Sequence, residues 1–256
     1  MSPFIAEIIG TAILILLGNG VVANVLLSNT KGNDSGWIVI TWGWGIAVFV
    51  AVFIVGQFSG AHINPAVTVG LAAAGLFKWS LVPFYIIAQL TGGAIGSFLV
   101  WLSYKDHFNE TTDEGLILAC HSTIPNIRRY TSNFTTETIG TLILVLGVIY
   151  LVSPGFVDVD GQLLKTITIE GKKVGFGLGA LSALPVGLLV LGIGLSLGGP
   201  TGYAINPARD LSPRIMHAVL PIPNKGTNDW SYAWIPVAAP IVGGLLAAGL
   251  YILLTG

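Results

Sequence analysis

Six stretches of the chain stay apolar for about the 20 residues a spanning helix needs. They lie near 4–27, 37–57, 81–103, 134–153, 176–198 and 232–254. None alternates apolar and polar residues with period 2, so the pattern predicts helices and not a strand barrel. Two segments interrupt this order: Gln57-Phe58-Ser59-Gly60-Ala61-His62 and Gly198-Gly199-Pro200-Thr201-Gly202 are glycine-rich and irregular, and too few apolar residues follow either for a full crossing. Non-helical backbone at membrane depth is tolerated only where protein buries it or where it lines water. Both segments are therefore expected to line a wet space.

Each interruption runs straight into Asn-Pro-Ala. Ser59-Gly60-Ala61-His62-Ile63-Asn64-Pro65-Ala66 matches Thr201-Gly202-Tyr203-Ala204-Ile205-Asn206-Pro207-Ala208. Asn is a favoured N-cap, and Pro suits the first helical position because its missing N–H is not needed there. Both pairs predict the start of a short helix. A second match, Glu7-Ile8-Ile9-Gly10-Thr11 with Glu137-Thr138-Ile139-Gly140-Thr141, opens spans one and four. The chain thus reads as one domain over 1–256, built from repeat one (1–110) and repeat two (130–256). Three crossings per repeat is an odd number, so the second enters the bilayer from the opposite side. The two half-helices then dip in from opposite faces.

Composition agrees: 53% of 256 residues are hydrophobic, 9% are charged, and mean hydropathy is +0.81, which marks an integral, multi-pass membrane protein. The net charge of −1 offers no basic face for nucleic acid. Cys120 is the single cysteine, which excludes an intrachain disulfide and a cysteine-built metal site. No cofactor or metal is expected. The N-terminus lacks a basic n-region and a cleavage site, so it is read as the first span and not as a signal peptide. With a cytoplasmic N-terminus, Lys78, Lys165, Lys172 and Lys173 fall inside, and Lys31, Lys105, Arg128, Arg129, Arg214 and Lys225 fall outside. Four against six leans against the positive-inside rule, so charge does not fix orientation. Glycines in spans three, five and six (Gly92, Gly93, Gly96, Gly187, Gly192, Gly194, Gly243, Gly244) are expected to let helices approach closely.

With Ser59 to Thr68 and Gly198 to Leu211 in view, including Asn206-Pro207-Ala208-Arg209-Asp210, the chain resembles the aquaporin family and its glycerol-facilitator branch. The resemblance covers essentially the whole chain. It implies an all-α membrane protein of six transmembrane helices plus two re-entrant half-helices, an inverted repeat in a right-handed bundle with a central pore. It also implies a homotetramer, cytoplasmic termini and a cell-membrane location. The implied activity is passive passage of glycerol and other small uncharged solutes with some water, excluding ions and protons. Trp44, Gly194, Tyr203 and Arg209 match the family's selectivity-filter positions. Water-selective relatives usually carry histidine in place of Gly194 and phenylalanine in place of Trp44. Many glycerol facilitators have phenylalanine where this chain has Tyr203, which leaves selectivity among glycerol, dihydroxyacetone, urea and undissociated lactic acid open.

Other residues keep two readings. Asn64 and Asn206 cap helices and, through amide N–H groups left free, can donate to a passing oxygen. Arg209 is costly near the membrane interior unless it faces water or partners. Trp44 taken alone also suits packing. Glu7 and Glu137 suit a proton site or acceptors for loop N–H groups that have no helix or sheet partner, and the resemblance supports the second. His62 faces the pore or packs. His107, His121, Asp106, Asp113 and Glu114 fall in the polar stretch 104–131, expected to be a solvated outer loop. The sequons Asn33-Asp34-Ser35 and Asn109-Glu110-Thr111 carry no further reading. A coupled transporter would need an unpaired carboxylate or histidine in the solute path. An enzyme would need a nucleophile-base pair or a metal cluster, and the sequence has neither.

Overall fold

The apolar runs fold as helices whose starts and stops follow local chemistry. In this computed structural model the described residues are all except 152–154, 165, 176 and 256. The ends of expected spans four and five (152–153 and 176), and Lys165, lie outside them. Helix α1 is Pro3–Leu26, with Ser2 as N-cap. Helix α2, Trp37–Ser59, stops at Gly60, whose φ of 82° places the cap in the left-handed region that glycine reaches without strain. The half-helix α3 is Pro65–Ala73. Helix α4, Val82–Glu110, follows one 3₁₀ turn and departs from helical geometry at Tyr104. Short α5, Glu114–Ala119, starts on an Asp113 cap. Helices α6 (Tyr130–Tyr150), α7 (Leu184–Leu197), the second half-helix α8 (Pro207–Val219) and α9 (Ile235–Thr255) complete the set. Six helical stretches are long and apolar enough to cross a membrane.

The helical fold class holds, with two short antiparallel hairpins added between α6 and α7: β1 (Phe156–Val157) pairs with β2 (Leu163–Leu164), and β3 (Thr166–Ile169) with β4 (Lys172–Gly175). One expectation needs correction. The stretch 104–131 is not a solvated loop, because α4 continues to Glu110, α5 follows, and His121 is fully buried.

Packing follows the repeat. Helix α1 lies against α2 and α4, and α6 against α7 and α9; α3 packs on α9, and α8 on α4. Each half-helix therefore rests on the last span of the other repeat. Missing side chains permit these contacts. A Cβ at Gly92 would sit 2.3 Å from the Ile8 carbonyl, and one at Gly243 would sit 2.5 Å from that of Thr138. Gly192 is an exception among the expected packing glycines, since a Cβ there would meet open space. Ile46, Phe84, Ile87, Leu102, Leu188 and Leu250 are exposed on the outside, a surface suited to lipid.

Candidate functional site

The site begins at the two helix starts. Asn64 Oδ1 accepts the Ala66 N–H at 2.8 Å; Asn206 Oδ1 accepts those of Ala208 at 3.0 Å and Arg209 at 3.3 Å. Pro65 and Pro207 occupy the first turns, and Ala66 and Ala208 are fully buried. The two side-chain amides are not wholly free, as the sequence suggested. Asn64 Nδ2 donates to the Ile205 carbonyl at 2.8 Å, and Asn206 Nδ2 to the Ile63 carbonyl at 2.9 Å. Each amide carries two N–H donors. One crosses to the other repeat, and both residues line the same cavity.

This pairing needs an unusual backbone. Ile63 and Ile205 have φ of 43° and 42°, and Ala61 and Tyr203 have 50° and 38°. For a β-branched residue such a conformation costs on the order of 1–3 kcal/mol and persists only when its surroundings enforce it. Two carboxylates do so. Glu7 accepts the His62 and Ile63 N–H groups at 3.0 and 2.7 Å, Ser59 Oγ at 2.6 Å and Gln89 Nε2 at 2.7 Å. Glu137 accepts the Ala204 and Ile205 N–H groups at 2.9 and 2.8 Å. Both are buried to within 1%. The His62 ring packs beside Phe77 and Tyr85, Nδ1 lies 3.1 Å from Thr68 Oγ1, and the residue is among those that line a cavity.

Two cavities meet inside the bundle. One, of about 240 Å³, has apolar walls such as Leu14, Val48, Val67 and Val190, with Asn64, Asn206 and His62 among its polar groups. The other, of about 550 Å³, lies towards α5 and is lined by Trp37, Ser122, Thr123 and Asn126 among others. Trp44, Tyr203 and Arg209 line both. These three therefore stand at the junction. The Arg209 guanidinium lies over the Trp44 ring, 4.2 Å from its centroid, a cation–π contact. Gly18 of α1 backs that ring, since a Cβ there would come within 2.3 Å of it.

Gly194 lies beside this junction and lines neither cavity. The space its side chain would need is filled: a Cβ would stand 2.8 Å from Tyr203 Cζ, 2.9 Å from the Tyr203 hydroxyl oxygen and 3.0 Å from Thr41 Cγ2. The missing side chain seats the Tyr203 ring, which also packs edge-on against Trp37. Asp210 turns away from the cavities. It accepts the Thr123 N–H and Oγ1, each at 2.7 Å, and an ion pair from Arg214 Nε at 2.8 Å.

Sequence reasoning missed Asn19, Gln89, Thr123 and Arg214. Arg214, counted with the outer-loop charges, is fully buried and donates to the Thr123 and Asn228 carbonyls. A charged residue just past the second half-helix start was the available signal. Polar Asn19 and Gln89 inside apolar runs were another.

Outside the spans, Arg128 grips Asp229 through both guanidinium nitrogens, at 2.7 and 2.5 Å. Partial burial alone would raise the Asp229 carboxyl, but the hydrogen bonds from Arg128 and Ser231 outweigh it and hold the group below its ordinary range. Burial pushes the His121 imidazole down to about 3, with the nearby His217 and Lys225 adding to the shift. Among the described residues, no group of three or more His, Cys, Asp or Glu is placed to hold a metal ion.

The model of the family described as major intrinsic protein matches residues 1–251. A probable glycerol uptake facilitator protein of Thermotoga maritima is 52% identical over 251 residues, covering 98% of each chain. A glycerol uptake facilitator protein of Streptococcus pneumoniae is 53% identical over 247 residues, 96% of this chain and 97% of the relative. The X-ray structure of the aquaglyceroporin from Plasmodium falciparum superposes with a TM-score of 0.77 at 33% identity, covering 97% of this chain and 93% of that one. Matched from end to end in sequence and in fold, the chain belongs to the major intrinsic protein family and is an integral, multi-pass membrane protein.

Proposed function

We propose that this chain is a passive channel for glycerol and other small uncharged solutes, with some permeability to water. The observation that carries the reading is the junction of the two cavities, where Trp44, Tyr203 and Arg209 together line both. A polyol presents C–H edges on one side and hydroxyls on the other. The parts of the Trp44 and Tyr203 rings that line the cavities take the C–H edge, and Arg209 donates to the hydroxyls. Gly194 serves by leaving room for Tyr203. Deeper in, the remaining N–H donors of Asn64 and Asn206 receive the next oxygen. Two helix N-termini at one level place partial positive charge there, which with Arg209 disfavours cations and protons. Glu7 and Glu137 hold the loops, His62 forms wall, and Asp210 fixes segment 120–123 beside the outer cavity. No step breaks or forms a bond, so no enzyme activity is assigned. Glycerol is favoured because the relatives from Thermotoga maritima and Streptococcus pneumoniae carry that solute in their names. Dihydroxyacetone, urea and undissociated lactic acid are further candidate solutes.

The assembly completing this reading is a homotetramer in the cell membrane with both termini cytoplasmic, each subunit one domain of two repeats. Proteoliposomes provide the test. Stopped-flow light scattering should show glycerol uptake that does not saturate and does not depend on a proton or sodium gradient. Saturation at millimolar glycerol, or dependence on either gradient, would refute a passive pore.

A further inference from the structure

Arg209 is a buried cation with a carboxylate beside it in sequence, yet the two do not pair. Asp210 is committed to Thr123 and Arg214. Among the described residues, the side-chain acceptor that the guanidinium reaches is Asn19 Oδ1, 3.5 Å from Arg209 Nη1. Asn19 is a fully buried amide in the apolar helix α1. Burying an amide is costly unless it is hydrogen-bonded, and its other end is satisfied: Nδ2 donates to the His121 carbonyl at 3.1 Å. A carbonyl can only accept, so this bond fixes which way the amide points. Oδ1 must then face Arg209. Its neighbour Gly18 backs the Trp44 ring on which the same guanidinium lies. Adjacent residues of one helix thus hold both members of the cation–π pair.

We infer that Asn19 is a positioning residue for solute selection, holding Arg209 over Trp44 and tying it to the segment that bears His121. The inference rests on the reading of Arg209 as part of the solute path. A neutral amide suits the task better than a carboxylate. It orients the guanidinium by a single long contact without neutralising it, which leaves the charge and the other N–H donors available to solute hydroxyls. The 3.5 Å separation is at the outer limit of an N–H···O bond, so the hold is one that a passing solute can outcompete.

The test is a ratio of two fluxes, erythritol to glycerol, measured on the same proteoliposomes. Such a ratio is independent of how much protein has folded. Asn19→Leu keeps the branched shape and removes both hydrogen bonds. With the guanidinium held only by Trp44, the wider four-carbon polyol should gain, and the ratio should rise about three- to tenfold, the range one net hydrogen bond is worth. Asn19→Asp keeps the acceptor and pairs the guanidinium more tightly, so glycerol flux should fall at least threefold with the ratio at or below wild type. Gly20→Ala, where a Cβ would meet open space, should change nothing. A ratio within twofold of wild type in conducting Asn19→Leu protein overturns the inference. If that variant does not fold, Asn19→Asp decides alone: unchanged glycerol flux, or a raised ratio, overturns it. Absence of glycerol flux in the wild type would instead remove the channel reading itself.

Discussion

Replacing Glu137 by Ala tests whether this carboxylate is a brace or a proton carrier. The substitution strips the acceptors from the Ala204 and Ile205 N–H groups, now bonded at 2.9 and 2.8 Å. Each buried donor left unpaired costs about 1–3 kcal/mol, so the pair comes to roughly 2–6 kcal/mol against a typical total stability of about 5–15 kcal/mol. The loop would also lose the contact that holds Ile205 at a φ of 42°, and relaxation there would recover part of the loss. A chain of this size shifts its melting point by roughly 2–4 °C per kcal/mol, so a fall of roughly 5–20 °C is expected. Glu137→Gln retains one acceptor oxygen and turns an NH₂ group towards the other donor, and should give about half the effect. The assay is size-exclusion chromatography of detergent-solubilised protein after heating, paired with the glycerol-to-water flux ratio of the surviving channels. That ratio should stay near wild type at low temperature. Protein that melts normally but has lost a proton-dependent flux would refute the brace and put Glu137 in a proton path.

Gly194→His should abolish most glycerol flux while osmotic water flux persists in stopped-flow light scattering. Even its Cβ would lie 2.8 Å from Tyr203 Cζ, so the imidazole and the displaced Tyr203 ring must both find room at the junction; unchanged glycerol flux in folded protein would contradict the packing. Arg209→Val removes the cation at the junction and should raise small-cation or proton leak in voltage-clamped cells, with unaltered conductance and selectivity placing Arg209 outside the pathway. The Arg128–Asp229 pair should contribute stability above the unfolded carboxylate value near 3.9 and lose it as pH falls through the lower folded value. Because Arg128 is 39% exposed, the contribution is at most about 1 kcal/mol. A melting curve against pH should show Asp229→Asn lacking this acid-side loss, and identical curves for both proteins would remove the pair from the balance.

The parts of this architecture legible in sequence are those carried by local chemistry. Asn-Pro announces a helix start wherever it occurs, and a run of twenty apolar residues announces a span, so α3, α8 and the six crossings could be read directly. Glu7 and Glu137 were legible through duplication, because the same carboxylate at the same place in two halves calls for a shared task. What escaped depends on neighbours distant in sequence. The seat of Tyr203 is made by the absent side chain of Gly194 together with Thr41. The hairpins of 156–175 escaped because strands of two and four residues are too short to show a period. His121 looked like loop because the stretch 104–131 carries Asp106, Glu110, Asp113 and Glu114 upstream of it and Arg128 and Arg129 downstream, while in space it lies among Phe108, Ser97 and His217.

The cross-bracing at the two asparagines explains why the repeats need each other. The Asn64 amide finds its protein acceptor in the Ile205 carbonyl, and the Asn206 amide in that of Ile63. Those carbonyls belong to residues whose left-handed φ values are costly for isoleucine. Glu7 holds Ile63 and Glu137 holds Ile205, each from within its own repeat, while α3 and α8 lean on the last span of the opposite one. Strain generated in one half is thus offset partly by bonds made in the other. A single repeat would retain both the unfavourable backbone and an unsatisfied amide, so this pairing of half-helix starts is stable only once the two inverted halves have closed on each other.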